Sequence, residues 1–260
     1  MCLAVVAWKV HPRFPLVLAA NRDEFYARGA ARAGWQAGSP EFWGGRDLEA
    51  GGTWLGLDRS GRWALVTNYR DPSERKPGAP SRGQLPLAYL AGGAAPAAFA
   101  GELALHASAY AGFNLLAGDR DSLAWYSNRG GPPQSLAPGV YGLSNRLLDT
   151  PWPKLLRARR ALEASLALDE ADAIREALFA LLLDPSPAPD DQLPQTGVPL
   201  EWERRLSPVF IQSPEYGTRV STVLIREAEG RMLAEERAHV PAGPPVQTLI
   251  HPISAIPPAI

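Results

Sequence analysis

The stretch LAVVAW at residues 3–8, followed by LVLAANRDE at residues 16–24, decides the fold. Both begin as apolar runs of β-forming residues, and the Pro-containing segment 11–15 makes a rigid connection between them. The pattern predicts an antiparallel hairpin with strands at Leu3–Trp8 and Leu16–Ala20. Four polar residues then close the second strand: Asn21, Arg22, Asp23 and Glu24.

The rest of the chain alternates strand-like and helix-like segments. Short apolar runs separated by turn residues predict strands at 54–57, 63–68, 113–117, 123–127, 140–144, 219–226 and 231–237. Ala- and Leu-rich or amphipathic patterns predict helices at 83–90, 97–110, 154–166 and 169–183. We expect Asp169 to cap the last helix. The Gly- and Trp-rich stretch that follows Glu24 and runs through Trp43-Gly44-Gly45 to Gly51-Gly52-Thr53-Trp54 is interpreted as a structured loop. These elements predict an α+β domain with largely antiparallel sheets.

Composition narrows the class of protein. At 260 residues the chain is interpreted as one domain, 1–260, with a Pro-rich tail from about 241. Its 26 Lys and Arg nearly cancel 27 Asp and Glu, so we expect no nucleic-acid partner. No apolar run approaches the roughly 20 residues that span a bilayer, and early charged residues argue against a secretory leader. We therefore expect a cytoplasmic protein without a transmembrane segment.

The single cysteine is the second residue. One cysteine cannot form an internal disulfide or a Cys-rich zinc site. Removal of Met1 would leave Cys2 with both a thiol and a free α-amine. The α-amine has a reference pKa of about 7.7 to 8.0, so it could serve as the base for the thiol near neutral pH. Alternatively, Cys2 is a small residue that begins a strand.

The polar residues after the second strand bear on this choice. Strand pairing would bring them close to Cys2, where Asp23 could accept a hydrogen bond from the α-ammonium. Arg22 could lower the thiol pKa or bind a substrate anion. The alternative is a salt-bridged turn that closes the hairpin, and Glu24 fits this alternative best.

Several separated motifs resemble those of a known family, and they occur in the same order along the chain. They are Met1-Cys2, Asn21-Arg22-Asp23-Glu24, Gly51-Gly52-Thr53-Trp54-Leu55-Gly56, Thr67-Asn68-Tyr69, Gly112-Phe113-Asn114-Leu115, Tyr141-Gly142-Leu143-Ser144-Asn145 and Tyr216-Gly217-Thr218-Arg219. Together they resemble the NRDE family, also called the transport and Golgi organisation 2 family. The resemblance spans nearly the whole chain.

That family is similar to the N-terminal nucleophile hydrolases, whose fold is a four-layer αββα sandwich and whose choloylglycine hydrolase branch also begins with cysteine. The resemblance implies a nucleophilic Cys2 with Asp23 near its amine. It further implies Asn68 and Asn145 as polar groups that stabilise the oxyanion and the amine, and Arg219 as a charged partner near the thiol. The candidate substrate-binding residues are Asn21, Arg22, Trp54 and Tyr69. The sequence departs from that branch at Ala20, where the branch carries an arginine three positions before the aspartate.

Three functions follow from these observations. The first is hydrolysis of a non-peptide amide C–N bond in a small molecule, with no required cofactor. The second is haem binding or trafficking without turnover, with iron held by the Cys2 thiolate or by one of the histidines His11, His106, His239 and His251. The third is a hydrolase-like scaffold in secretory organisation. Spacings typical of zinc proteases or nucleotide-binding loops are absent, so no metal or nucleotide is predicted.

Overall fold

The computed structural model describes residues 2–74, 76–239, 246–247 and 251–253. Its strands are β1 Cys2–Trp8, β2 Leu16–Phe25, β3 Ala30–Gln36, β4 Phe42–Asp47, β5 Leu55–Leu57, β6 Trp63–Asn68, β7 Phe113–Gly118, β8 Leu123–Ser127, β9 Gln134–Ser135, β10 Gly139–Leu143, β11 Tyr216–Arg226, β12 Met232–Ala238, β13 Val246–Gln247 and β14 His251–Ile253. Its α-helices are α1 Gln84–Ala91, α2 Pro96–His106, α3 Pro153–Ser165, α4 Ala171–Leu182 and α5 Leu200–Arg205.

The strands form two antiparallel sheets, so the predicted α+β class is confirmed. Sheet 1 has the order β10-β1-β2-β11-β12-β13, with β14 also paired to β12. Sheet 2 has the order β3-β4-β5-β6-β7-β8-β9. The predicted N-terminal hairpin lies in sheet 1, where Cys2 is opposite Arg22 and Trp8 is opposite Leu16.

Three apolar clusters hold the elements together. The first lies between the sheets and includes Val6 and Leu18 of sheet 1 with Trp63 and Leu65 of sheet 2. The second packs the opposite face of sheet 1 against α3 and α4. The third packs sheet 2 against α1 and α2. Because side chains alternate along a strand, β1 and β2 each contribute to both the first and the second cluster.

Two strands occupy a region that we predicted to be a loop. β3 and β4 pair antiparallel across residues 30–47. Two of the glycines that suggested a loop, Gly44 and Gly45, lie inside β4. Neither position has room for a side chain: a Cβ on Gly44 would come within 2.4 Å of the Leu55 carbonyl oxygen, and one on Gly45 within 2.1 Å of the Trp54 ring. Close packing, and not chain irregularity, therefore explains these glycines.

Two boundaries also differ from the prediction. β2 does not end at Ala20 but continues to Phe25, because β11 pairs with it over this length. The helix α4 begins at Ala171, and the residue that precedes it, Glu170, makes no side-chain capping hydrogen bond. Asp169 as the cap was therefore wrong.

The remaining predicted strands and helices occur close to their expected positions. The predicted tail from about 241 lies largely outside the described residues. Within the described part of the chain, none of the helices combines the length and the apolar character needed to cross a membrane.

Candidate active site

Cys2 lines a cleft of about 360 Å³ at the start of β1. We call this the Cys2 cleft. Its wall contains the backbone of Asp23 and side chains of both charges, together with an indole and an amide: Arg22, Glu24, Arg28, Asp47, Trp54, Asn68, Lys76 and Arg82. A larger groove of about 880 Å³ lies near the start of α4, but its charged residues pair with one another, as Arg13 does with Glu170. Cys2 is in the smaller cleft.

One side of the Cys2 cleft is closed by direct backbone contact between two loops. The Thr53 N–H donates to the Gly83 carbonyl oxygen at 2.9 Å. A Cβ on Gly52 would lie only 2.5 Å from the carbonyl carbon of Gly83. Only glycine at position 52 lets the backbones approach this closely. The contact joins the loop after β4 to the segment that carries Arg82.

The Cys2 thiol lies on the face of sheet 1 that is directed towards sheet 2, since Cys2 alternates in phase with Ala4 and Val6. Burial raises the pKa of this thiol, and the negative charge of Asp23 raises it further. Arg22 and the backbone N–H of Asp23 act in the opposite direction and favour the thiolate. Because the net effect is a raised pKa, the thiol needs a base at neutral pH.

Arg22 is held rigidly beside the thiol. Its side chain is 5% exposed, with Nη2 3.3 Å from Asp47 Oδ2. Its guanidinium carbon lies 4.3 Å from the centre of the Trp54 ring, which is a cation–π contact. Asp47 is held in turn by Arg28, whose Nε donates at 2.6 Å. Arg22 thus places a fixed positive charge in the wall of the Cys2 cleft.

Asp23 points to the other face of sheet 1. It is fully buried, and its Oδ1 accepts a hydrogen bond from the Thr218 hydroxyl at 2.7 Å. Burial raises the pKa of the Asp23 carboxyl, and Lys154 opposes this rise most strongly. The backbone of Asp23 faces the thiol, while its carboxylate faces the helices.

Behind Asp23 lies a set of buried ionisable side chains that we call the buried charge cluster. Its members are Asp23, Arg70, Lys154, Glu203 and Tyr216. Arg70 Nη1 donates to Glu203 at 2.9 Å, and Lys154 Nζ donates to the Leu206 carbonyl oxygen at 2.9 Å. Burial raises the pKa of Tyr216 well above its usual range.

Sequence reasoning identified Asp23 in this cluster and missed the other four members. Lys154 lies at the start of a predicted helix, where a charged residue normally faces solvent. The one feature of the sequence that set Lys154 apart from an exposed lysine is that the next residue, Leu155, is apolar, and Leu155 is also buried in the structure. Arg70 directly follows a quoted motif, but that motif stopped at Tyr69.

Asn21 does not reach the Cys2 cleft. Its Nδ2 donates to the carbonyl oxygens of Leu182 and Val209, at 2.8 and 3.0 Å. Its Oδ1 accepts from the Ser221 hydroxyl at 2.6 Å. Because Asn21 and Arg22 are adjacent in a strand, their side chains point to opposite faces. The structure thus places Asn21 as a tie between sheet 1 and α4 instead of on the substrate side.

The two candidate oxyanion residues lie together. Asn68, at the end of β6, lines the Cys2 cleft. Asn145 is fully buried, and its Nδ2 donates to the Asn68 carbonyl oxygen at 2.9 Å. Next to it, the Ser144 hydroxyl donates to the Cys2 carbonyl oxygen at 3.1 Å. Asn145 therefore fixes the backbone that carries Asn68, and Ser144 fixes the backbone of Cys2.

The other predicted site residues divide between the cleft and its surroundings. Trp54 lines the cleft, whereas Tyr69 lies outside its lining and contacts Arg146 through a cation–π interaction of 4.9 Å.

Arg219 also lies outside the cleft lining. Its Nη1 donates to the carbonyl oxygens of Phe25, Tyr26 and Arg28. A register irregularity between Thr218 and Val220 makes Arg219 the extra residue of a bulge, which redirects its side chain to the turn after β2. Among the described cations, Arg22 and Arg82 are the ones whose charges interact with Cys2 from the cleft wall.

The described histidine side chains also lie away from the cleft lining. His11 Nδ1 accepts the Phe14 N–H at 3.1 Å, His106 ends α2, and His239 Nε2 lies 2.9 Å from the Ser221 hydroxyl. The side chain of His251 is outside the described residues. Within the residues that the structure covers, no three His, Cys, Asp or Glu side chains are grouped to hold a metal ion.

The fold and the cleft define an α+β protein with two antiparallel sheets and a cysteine second residue in a charged cleft. The family model described as "Transport and Golgi organisation 2" matches residues 1–240, so the chain belongs to that family. This confirms the resemblance inferred from the motifs.

The curated relatives carry the same family name, and their similarity to this chain extends over most of their length. The chain is 34% identical to the transport and Golgi organization protein 2 homolog of Bos taurus over 264 residues, covering 93% of this chain and 95% of the relative. It is 34% identical to the Homo sapiens homolog over 262 residues, covering 91% and 93%. Identity to the Drosophila melanogaster protein is 28% over 258 residues, covering 89% and 90%.

Proposed function

We propose that this protein is a cysteine N-terminal nucleophile amidohydrolase that cleaves a non-peptide amide C–N bond in a small molecule. The proposal includes the four-layer αββα sandwich of that hydrolase class, which is supported by the apolar cluster between the sheets and the two clusters between sheets and helices. The observation that carries the proposal is the pairing of Cys2 with Arg22 in the lining of a cleft. After loss of Met1, this pairing leaves the thiol and the α-amine of Cys2 next to Asp23.

The reaction uses one residue as both nucleophile and base. Cys2 Sγ attacks the amide carbonyl carbon, and its proton passes to the α-amine as the C–S bond forms. The tetrahedral intermediate collapses when the α-ammonium protonates the leaving nitrogen and the C–N bond breaks. Water, deprotonated by the α-amine, then attacks the thioester carbonyl, and the C–S bond breaks. The α-ammonium returns its proton to the Cys2 thiolate, and the carboxylic acid product leaves and loses its proton to solvent.

The surrounding groups fit these steps. The raised pKa of the Cys2 thiol means that it carries its proton until the α-amine removes it. The Asp23 carboxylate stabilises the α-ammonium. Asn68 lies in the wall of the Cys2 cleft, which supports a role as donor to the oxyanion, and Asn145 holds the backbone of Asn68.

Intact-mass spectrometry tests the first requirement of this proposal. We expect the purified protein to lack Met1 and to be alkylated by iodoacetamide at Cys2 at pH 7. Cys2→Ser is the matched control, because it keeps the size of the side chain and removes the thiol. A folded protein that retains Met1, or a thiol that iodoacetamide does not alkylate, would contradict the mechanism.

Turnover is tested separately with a panel of small amides followed by mass spectrometry of the products. We expect release of an amine and a carboxylate from at least one amide by the wild-type protein, and none by Cys2→Ser. A panel compound that Cys2→Ser hydrolyses equally fast would show that Cys2 is not the nucleophile.

Haem binding without turnover is the second hypothesis. Its supporting observation is that the Cys2 thiol shares the cleft with Arg22, Arg28 and Arg82, and guanidinium groups pair well with carboxylates such as haem propionates. Titration with haemin tests it. A thiolate-ligated spectrum that is lost in Cys2→Ser would support haem binding, whereas an unchanged haemin spectrum would reject it.

A further inference from the structure

Three buried polar residues near Cys2 have no part in the mechanism proposed above. They are Thr67 of β6, Asn114 of β7 and Ser144, which follows β10, and each is at most 2% exposed. Hydroxyl and amide groups that are removed from water cost free energy unless new hydrogen bonds replace the lost ones. The partners of these three side chains therefore show what holds them in place.

Their hydrogen bonds form a chain from sheet 2 to sheet 1. Asn114 Nδ2 donates to Thr67 Oγ1 at 3.2 Å, and Thr67 Oγ1 donates to the Ser144 carbonyl oxygen at 2.7 Å. The Ser144 hydroxyl donates to the Cys2 carbonyl oxygen at 3.1 Å, and its contact with Asn145 Oδ1 is longer, at 3.5 Å. We call Asn114, Thr67 and Ser144 the inter-sheet clamp.

The inter-sheet clamp joins two groups that the proposed mechanism uses together. Cys2 begins β1 in sheet 1, whereas Asn68, the proposed oxyanion donor, ends β6 in sheet 2. Thr67 is the neighbour of Asn68 in the same strand. Elsewhere the sheets meet across a large apolar cluster, and apolar contact is not directional as a hydrogen bond is. The clamp therefore fixes the spacing of the Cys2 and Asn68 backbones.

Asn114 occupies its place in the clamp at a cost to stability. Among the residues that the structure describes, its buried Oδ1 has no hydrogen-bond partner. A buried acceptor without a partner lowers stability. The Asn114 amide nitrogen nevertheless binds the oxygen of Thr67, so the Thr67 hydroxyl proton is directed to Ser144. Groups that break a packing rule in this way are expected at functional sites.

We infer that Thr67 and Ser144 are positioning residues, whose hydrogen bonds hold Asn68 at the distance from Cys2 at which its amide donates to an oxyanion. Both act through other groups, since neither side chain is in the lining of the Cys2 cleft. This inference rests on the proposed function, because an oxyanion forms only if Cys2 attacks a carbonyl carbon.

Two reagents for the Cys2 thiol separate positioning from folding. Cys2 Sγ attacks p-nitrophenyl acetate at its carbonyl carbon: the C–S bond forms through an oxyanion, the C–O bond breaks, p-nitrophenolate leaves, and the thiol proton passes through the α-amine to solvent. Iodoacetamide is attacked at a saturated carbon, so the C–S bond forms as iodide leaves and no oxyanion develops. Only the first reaction needs the Asn68 amide in place.

Thr67→Val keeps the shape of the side chain and removes its hydroxyl. We expect Thr67→Val and Ser144→Ala each to slow acylation of Cys2 by p-nitrophenyl acetate about tenfold and to change alkylation by iodoacetamide by less than about twofold. Thr67→Ser, which retains the hydroxyl, should keep the wild-type acylation rate. Release of p-nitrophenolate in the first turnover and intact-mass spectrometry measure the two rates.

Ser165→Ala is the matched control. The Ser165 hydroxyl is also buried and donates to a backbone carbonyl, that of Leu162 at 2.7 Å, at the C-terminal end of α3. This variant should lower the thermal stability about as much as Ser144→Ala does and leave both rates unchanged. Equal slowing of the two reactions in Ser144→Ala, or an unchanged acylation rate, would overturn the inference, and this variant decides the question if Thr67→Val does not fold.

Asn68→Ala distinguishes failure of this inference from failure of the proposed function. It should slow acylation about 100-fold, and Thr67→Val should add little in the Asn68→Ala background, because the clamp acts through Asn68. If Asn68→Ala is acylated as fast as the wild type, or if Cys2→Ser releases p-nitrophenolate equally fast, the proposed function fails and the inference fails with it. If Asn68→Ala slows acylation and the clamp variants do not, the inference alone fails.

Discussion

The short polar motif at the end of β2 places alternate side chains on the two faces of the strand, and these faces meet different surroundings. Arg22 and Glu24 lie on the face that meets the Cys2 cleft, and Asn21 and Asp23 lie on the face that meets the helices. Arg22 is linked to Asp47, which also binds the half-buried Arg28. Asn21 and Asp23 are at most 1% exposed. A motif that is continuous in the sequence therefore divides between the cleft face and the helix face of one strand.

This division predicts how substitutions should behave. Polar groups on the helix face have no water to replace a lost partner, so their removal should lower stability strongly. On the cleft face, charges are shared among several partners, so their removal should affect the thiol more than the fold. The variants below test this contrast, from the largest expected change in unfolding free energy to the smallest.

Asn21→Ala should have the largest effect on stability. It removes the donors to the Leu182 and Val209 carbonyls and the acceptor of the Ser221 hydroxyl. Leaving these buried groups without their partner should lower the unfolding free energy by about 3 to 4 kcal/mol. Urea denaturation at pH 7 measures this change. A loss below about 1 kcal/mol would erase the contrast between the two faces.

Glu236→Gln examines a carboxyl that is buried on the inter-sheet side of sheet 1. Glu236 Oε1 accepts the Ala33 N–H at 2.8 Å, and burial raises the pKa of this carboxyl to about 7. The unfolded value is about 4.3, so the wild type loses stability as the pH rises from about 4.3 to 7. The variant should lack this loss and gain about 2 kcal/mol at pH 8 relative to the wild type, below a ceiling of about 3.7 kcal/mol.

Denaturation at pH 4, 6 and 8 measures the Glu236 effect. The difference between the variant and the wild type should grow with pH and level off above 7. A constant difference at all three pH values would mean that folding does not raise the pKa of Glu236.

Arg22→Met tests the cleft face. Loss of the Asp47 ion pair and of the Trp54 contact should lower the unfolding free energy by about 1 kcal/mol, because Arg28 still holds Asp47. The thiol should change more, since Arg22 lowers the pKa of Cys2. We expect alkylation of Cys2 at pH 7 to slow several-fold. Arg22→Lys, which keeps the charge, should retain most of the rate.

Glu24→Gln should have the smallest effect. Glu24 is half-buried, and its carboxylate accepts the N–H of the next residue, Phe25, at 2.9 Å. The amide of Gln can accept the same hydrogen bond, so the unfolding free energy should change by less than about 0.5 kcal/mol. Thermal unfolding of Glu24→Gln beside Asn21→Ala compares the two faces directly. A larger loss in Glu24→Gln would reverse the assignment of the faces.

Much of the fold was predictable because apolar alternation is a local property. The hairpin of β1 and β2, the later strand pairs and helices α1 to α4 follow from it. β3 and β4 were missed because glycine suggested irregular chain, whereas Gly44 and Gly45 make room for neighbouring atoms. The end of β2 was missed because polar residues in a strand look like a turn until β11 pairs with them.

The site was predictable in part, for a related reason. Sequence reasoning assigned Cys2, Arg22 and Trp54 to one site, and in the structure all three line the Cys2 cleft. It could not show the bulge that redirects Arg219, because a bulge depends on strand register. Nor could it show that Lys154 is buried, since burial of a charge depends on distant partners.

The contact between Gly52 and Gly83 sets the width of one wall of the Cys2 cleft. Backbone, not side chains, fixes the spacing there. The charge of the cleft, in contrast, comes from side chains such as Arg82. Its width at this wall is therefore a property of the main chain, and its charge is a property of individual residues.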